Sequence, residues 1–126
     1  SINTRRVTMT KILIVDDAEF LRVRISKMLT TDGFEVVEAD NGLKAIEAYK
    51  ANKPDMVLMD ITMPEMDGLT ALKELRKIDP NAKVVMLTAL GQESVVLEAV
   101  KSGAKDFVVK PFERDRVLSA INKLLG

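Results

Sequence analysis

Two rhythms of apolar and polar residues alternate along this chain. Ile12-Leu13-Ile14-Val15 is a short, largely β-branched, wholly apolar run that stops at Asp16-Asp17, the profile of a strand buried on both faces. From Ala18 the period lengthens: Leu21, Ile25, Met28 and Leu29 recur at i, i+4, i+7 and i+8, which is one face of an α-helix. Thr31-Asp32-Gly33 ends that helix, with Gly33 suited to the left-handed position just past a helix C-terminus. Phe34-Glu35-Val36-Val37 follows as a half-polar strand, the composition expected at a sheet edge.

The same alternation then recurs. Asn41-Gly42 opens a helix carrying Ala45, Ile46 and Tyr49 and closed by Lys53-Pro54. Met56-Val57-Leu58-Met59 is an apolar strand ending on Asp60, and Asp67 caps a helix whose inner face is Leu69, Leu72 and Leu75. The turn Asp79-Pro80-Asn81 leads into the strand Val84-Val85-Met86-Leu87, which ends on Thr88. Val95, Val96, Ala99 and Val100 form the next helical face, closed by Ser102-Gly103, and Phe107-Val108-Val109 is a fifth strand ending on Lys110-Pro111. A last helix carries Val117, Leu118, Ile121, Leu124 and Leu125. Strands apolar on both faces and alternating with helices predict an α/β fold, a doubly wound parallel sheet covered by helices on each side. The competing eight-unit barrel needs about 250 residues.

Composition narrows the chemistry. The 126 residues fit one domain, and 19 Lys+Arg balance 19 Asp+Glu, which removes the electrostatic reason to expect a nucleic-acid partner. With no Cys there are no disulfides, thiolate metal sites or cysteine nucleophiles, and with no His there is no imidazole ligand or imidazole base. No apolar run approaches the ~20 residues of a membrane span, and the polar start lacks a signal core, so a cytoplasmic location is expected. Met9-Thr10-Lys11-Ile12 reads as a natural start. That leaves residues 1–8 as a tag remnant or disordered arm and 9–126 as the folded domain.

Ligands of a doubly wound sheet bind outside the carboxyl ends of its strands. Here those ends deliver Asp16 and Asp17 from strand one, Asp60 from strand three, Thr88 from strand four and Lys110 from strand five. Taken singly, Asp17 could equally be a helix cap and Thr88 a structural hydroxyl. Together the three like charges would raise one another's pKa and oppose folding unless a cation offsets them. All-oxygen ligation selects a hard ion, and Mg²⁺ suits a site with few carboxylates and a phosphate oxygen. Lys110 adds an ammonium for a dianionic phosphoryl group, Asp60 is the candidate nucleophile, and Thr88 can donate its hydroxyl to a phosphoryl oxygen. Gly-x4-Gly-Lys-Ser/Thr and Gly-x-Gly-x-x-Gly are both absent. Dehalogenase-type phosphatases place a second Asp two residues after the nucleophile, where this chain has Thr62.

Asp16-Asp17, the run Met59-Asp60-Ile61-Thr62-Met63-Pro64-Glu65-Met66-Asp67-Gly68, Thr88-Ala89 and Lys110-Pro111-Phe112 resemble, in order and spacing, the receiver domain of two-component response regulators. The likeness spans residues 11–125. Within that family the single-domain form and the stretch Ala18-Glu19-Phe20-Leu21-Arg22 are similar to regulators of chemotaxis. The resemblance implies a flavodoxin-like sheet of five strands in order 2-1-3-4-5 with five helices. It implies that Asp60 accepts a phosphoryl group from a phosphohistidine on a histidine kinase. Mg²⁺ would be held by Asp17 directly, by Asp16 through water, and by Asp60 and the backbone carbonyl of Thr62.

Lys110 would pair with the phosphoryl group and form a cis bond to Pro111. Ala89 would leave room for the group, while Thr62 and Leu90 would flank it and set its lifetime, Leu90 by shielding it from water. Thr88 moving toward the phosphate and Phe107 turning inward would alter the face of helix four, strand five and helix five. That face would bind an output protein such as the flagellar switch. Phe stands at 107 where the family more often has Tyr. A phosphatase partner, a monomeric state and the absence of a separate turnover substrate complete the expectation. The alternatives are a receiver belonging to a larger transcriptional regulator, a phosphorelay intermediate, and a phosphohydrolase with its own small substrate.

Overall fold

Strands and helices alternate strictly: β1 (Lys11–Val15), α1 (Glu19–Thr31), β2 (Glu35–Ala39), α2 (Gly42–Asn52), β3 (Met56–Asp60), α3 (Gly68–Ile78), β4 (Val84–Thr88), α4 (Glu93–Lys101), β5 (Asp106–Val109) and α5 (Arg114–Leu125). The computed structural model describes residues 9–89 and 91–126. The arm expected at 1–8 and the shielding role given to Leu90 lie outside the described residues. The five strands are parallel and ordered β2-β1-β3-β4-β5, the expected doubly wound arrangement. Among the described residues no helix is long and apolar enough to cross a membrane.

Side-chain alternation along the strands builds two cores. Leu13, Val15, Val57, Met59, Val84 and Met86 face α2, α3 and α4, packing against Ala45, Tyr49, Leu72, Leu75 and Ala99. Ile12, Ile14, Met56, Leu58, Val85, Leu87 and Val108 face α1 and α5, against Ile25, Leu29, Val117 and Ile121. Each large aliphatic side chain so buried stabilises the fold by about 1.5–3 kcal/mol. β1, β3 and β4 are covered on both faces, so their apolar runs at 12–15, 56–59 and 84–87 follow directly.

The helix ends match their sequence signals. Asn41 Oδ1 accepts the Lys44 N–H at 2.9 Å and Asp67 Oδ1 accepts the Thr70 N–H at 2.8 Å, each satisfying an otherwise orphaned first-turn donor. Gly33 adopts φ 93° past α1, and Phe34 N–H then returns to the Leu29 carbonyl at 3.0 Å.

Two expectations are corrected. β2 begins at Glu35 rather than Phe34, because Phe34 still belongs to the helix-closing turn and packs against the α1–α5 core. Val100 is 47% exposed rather than core-facing, and on α4 only Ala99 is fully buried. α4 lies near the β5 edge of the sheet, so its outer apolar residues border a groove instead of a second layer.

Candidate functional site

Register and alternation together assemble the polar residues. Val15 pairs with Met59, Asp60 with Leu87, and Thr88 with Val109, so the strands finish side by side. Asp16, Asp60 and Lys110 continue the parity of Ile14, Leu58 and Val108. Thr88 continues that of Met86 on the opposite face, the face shared by Phe107.

The contacts follow from that placement. Lys110 Nζ lies 3.2 Å from Asp16 Oδ2 and 3.2 Å from Asp60 Oδ1. One carboxylate oxygen each from Asp16, Asp17 and Asp60 falls within 4.8 Å of the others. Asp16 is fully buried, Asp60 and Thr88 are nearly so, and Asp17 is exposed at the rim. The Lys110–Pro111 peptide is cis.

Electrostatics separates these groups. Burial, and then the neighbouring Asp16, push the Asp60 pKa up to about 6, against the pull of Lys110. For Lys110, burial works to lower the pKa, but Asp60 and Asp16 outweigh it and hold the ammonium above the ordinary lysine value. Three carboxylates with one ammonium between them leave two negative charges at the mouth. An all-oxygen donor set with that deficit fits a hard divalent cation such as Mg²⁺.

Asp17 does not cap α1. The cap position is Ala18, without a side-chain cap bond, and the Ala18 N–H donates instead to Asp16 Oδ1 at 2.9 Å. Removing the Asp17 charge therefore sacrifices no helix cap. Asp17→Asn is expected to raise the thermal midpoint measured without divalent cations, by about 0.5 kcal/mol of stability as befits an exposed charge. It should also abolish the rise in midpoint expected of the wild type on adding Mg²⁺. A lower midpoint in that variant would contradict this reading of the cluster.

Two further residues had no separate signal in the sequence. Arg22, one turn into α1, donates from Nη1 to the Asp16 carbonyl at 2.7 Å and from Nε to Glu38 Oε1 at 2.9 Å, bracing the acidic loop. Gln92, immediately before α4, receives the Thr88 hydroxyl and the Ala89 N–H and donates to Thr62. Polar residues at helix starts are too common for the sequence to single out either one. Phe107 is 37% exposed, so it points away from the core rather than filling it. It lines an apolar groove with Thr88, Val96, Leu97, Val100 and Val109.

Comparison with known proteins identifies the family. Residues 12–122 match the family described as response regulator receiver domain. The chain is 60% identical over 117 residues to the chemotaxis protein CheY of Bacillus subtilis, covering 92% of this chain and 98% of that protein. To CheY of Thermotoga maritima it is 56% identical over 115 residues, covering 90% and 96%. Among solved structures, a CheX–CheY–BeF3–Mg complex from Borrelia burgdorferi superposes with TM-score 0.87 at 39% identity, over 92% of this chain and 89% of that one.

Proposed function

The chain belongs to the response regulator receiver family, and from that premise we propose that it is a CheY-like phosphorylation switch whose phosphoacceptor is Asp60. The observation that carries this reading is the pairing of a nearly buried Asp60 with Lys110 Nζ at 3.2 Å beside two further carboxylates. An oxygen of the ionised Asp60 carboxylate attacks the phosphorus of a phosphohistidine on a partner kinase. The new P–O bond forms as the P–N bond breaks, and the imidazole leaves with the electron pair and takes up a proton. The kinase supplies the histidine, because this chain has none.

Asp16, Asp17, Asp60 and the Thr62 carbonyl would hold Mg²⁺, which when bound supplies positive charge for the phosphoryl oxygens. Lys110, already drawn to Asp60, neutralises a further oxygen. Thr88 then donates its hydroxyl to the group, and Phe107 leaves its exposed position for the space beside Thr88. The groove between α4 and β5 changes shape, and with it the affinity of an output protein. The CheX bound to CheY in the Borrelia complex supports a second protein partner besides the kinase. The absence of an acid two residues after Asp60 favours a switch over a phosphohydrolase. High identity along the full length of CheY proteins favours cytoplasmic chemotaxis over transcriptional control.

The test is spectroscopic. Wild-type protein with Mg²⁺ and beryllofluoride should shift amide resonances along β4, α4 and β5, while Asp60→Asn stays unchanged. A wild type that ignores both reagents, or an Asn variant that responds equally, would refute Asp60 as the acceptor.

A further inference from the structure

Gln92 joins three polar groups around the site. Its Oε1 accepts the Ala89 N–H at 2.8 Å and the Thr88 hydroxyl at 3.0 Å, and its Nε2 donates to Thr62 Oγ1 at 3.0 Å. The Ala89 N–H can only donate, so it fixes which end of the amide is the oxygen. One half-buried side chain thereby ties the loop after β3, which carries Thr62, to the loop after β4. The same residue heads α4, its carbonyl accepting the Val96 N–H at 3.0 Å.

We propose that Gln92 is a latch on the Thr88 switch, competing with a phosphoryl group on Asp60 for the Thr88 hydroxyl and linking that competition to the start of α4. The proposal rests on the reading of Thr88 as the donor to the phosphoryl group. A hydroxyl carries one proton. In the structure that proton has two acceptors within reach, Gln92 Oε1 and, at 3.1 Å, the Ala89 carbonyl. Donation to a phosphoryl oxygen takes it from both. Gln92 Oε1 then keeps only the Ala89 N–H, and the Thr62 bond must hold or yield as Thr88 moves. Because Gln92 is also the cap position immediately before α4, its release reaches the helix through one covalent unit. α4 carries Leu97 and Val100 along the groove that Phe107 borders. Gln92 is thus a positioning residue acting through Thr88 and Thr62, with no part in the transfer itself.

The experiment measures beryllofluoride affinity in saturating Mg²⁺ for wild type, Gln92→Met, Thr88→Val and the double variant. Gln92→Met keeps the side-chain length and removes all three hydrogen bonds. It is expected to tighten binding roughly threefold to tenfold, the effect of one neutral hydrogen bond no longer competing. In the Thr88→Val background, where no hydroxyl remains to be contested, the same substitution should change nothing. Unchanged or weaker binding in Gln92→Met overturns the latch, as does an equal gain without the hydroxyl. Gln92→Leu substitutes for the Met variant should the latter fail to fold. A wild type that does not bind beryllofluoride removes the phosphoacceptor reading and the latch together. A wild type that binds while Gln92→Met matches it removes the latch alone.

Discussion

Lys110→Met is expected to destabilise the protein by roughly 3 kcal/mol near neutral pH without divalent cations, the low end for breaking a buried ion pair. Its ammonium is the group that contacts both Asp16 and Asp60, at 3.2 Å each, and Asp16 is fully buried. Methionine fills a similar volume but leaves two adjacent carboxylates in a poorly solvated pocket with no cation. Low pH should return part of the loss. Asp60 already sits at about 6 against an ordinary 3.8, so between those values the folded protein holds a proton that the unfolded chain has released. Stability therefore falls as pH rises through that window. Without Lys110 the Asp60 pKa climbs further, so the falling limb extends to higher pH. Urea unfolding across pH 4 to 8 measures this directly. Lys110→Met combined with Asp60→Asn should recover most of the loss. Equal stability of Lys110→Met and wild type across the range would show that the ammonium does not hold the cluster together.

Gly68→Ala is expected to cost more than the ~1–3 kcal/mol typical of overpacking, and to damage the site at the same time. A Cβ built on Gly68 would lie 2.0 Å from the Asp60 carbonyl oxygen and 2.9 Å from the Ile61 Cα. Both neighbours are backbone, so no rotamer change relieves the clash. Gly68 also donates its N–H to the Ile61 carbonyl at 2.7 Å, which holds the start of α3 tight against the end of β3. Pushing them apart moves Asp60, whose carboxylate we propose as the phosphoacceptor. A large fall in thermal midpoint with loss of the beryllofluoride response is the expected result. Retention of both would mean that α3 can slide without disturbing Asp60. At Gly33 the constraint differs: nothing lies within 4 Å of an added Cβ, and only the φ of 93° favours glycine.

The same contrast runs through what could be read from residue order. β1, β3 and β4 were legible because a strand covered on both faces must be apolar throughout, and the short runs ending on Asp16, Asp60 and Thr88 left no other reading. The caps at Asn41 and Asp67 and the turn at Gly33 were legible because each is satisfied within a few residues. Val100 was misplaced because helical periodicity reports that a face is apolar without reporting whether anything covers it. Asp17 as a cap was undecidable from sequence, since a carboxylate before a helix fits both roles. Ala18 N–H binding Asp16 Oδ1 decides it.

By itself, then, the sequence determined the alternating architecture, the polar residues at the strand ends and the family to which the chain belongs. All of these are local or periodic properties that the backbone repeats of 2 and 3.6 residues convert into faces. Only the tertiary structure decided which groups touch. Parallel register brings Asp60 and Lys110, 50 residues apart in the chain, to one ammonium–carboxylate contact, and it sets Thr88 on the opposite face with Phe107. It also brings Gln92 across 30 residues to Thr62. Hydrogen bonds of a few ångströms between distant segments depend on how loops close over the sheet, and no periodicity in the chain encodes that closure.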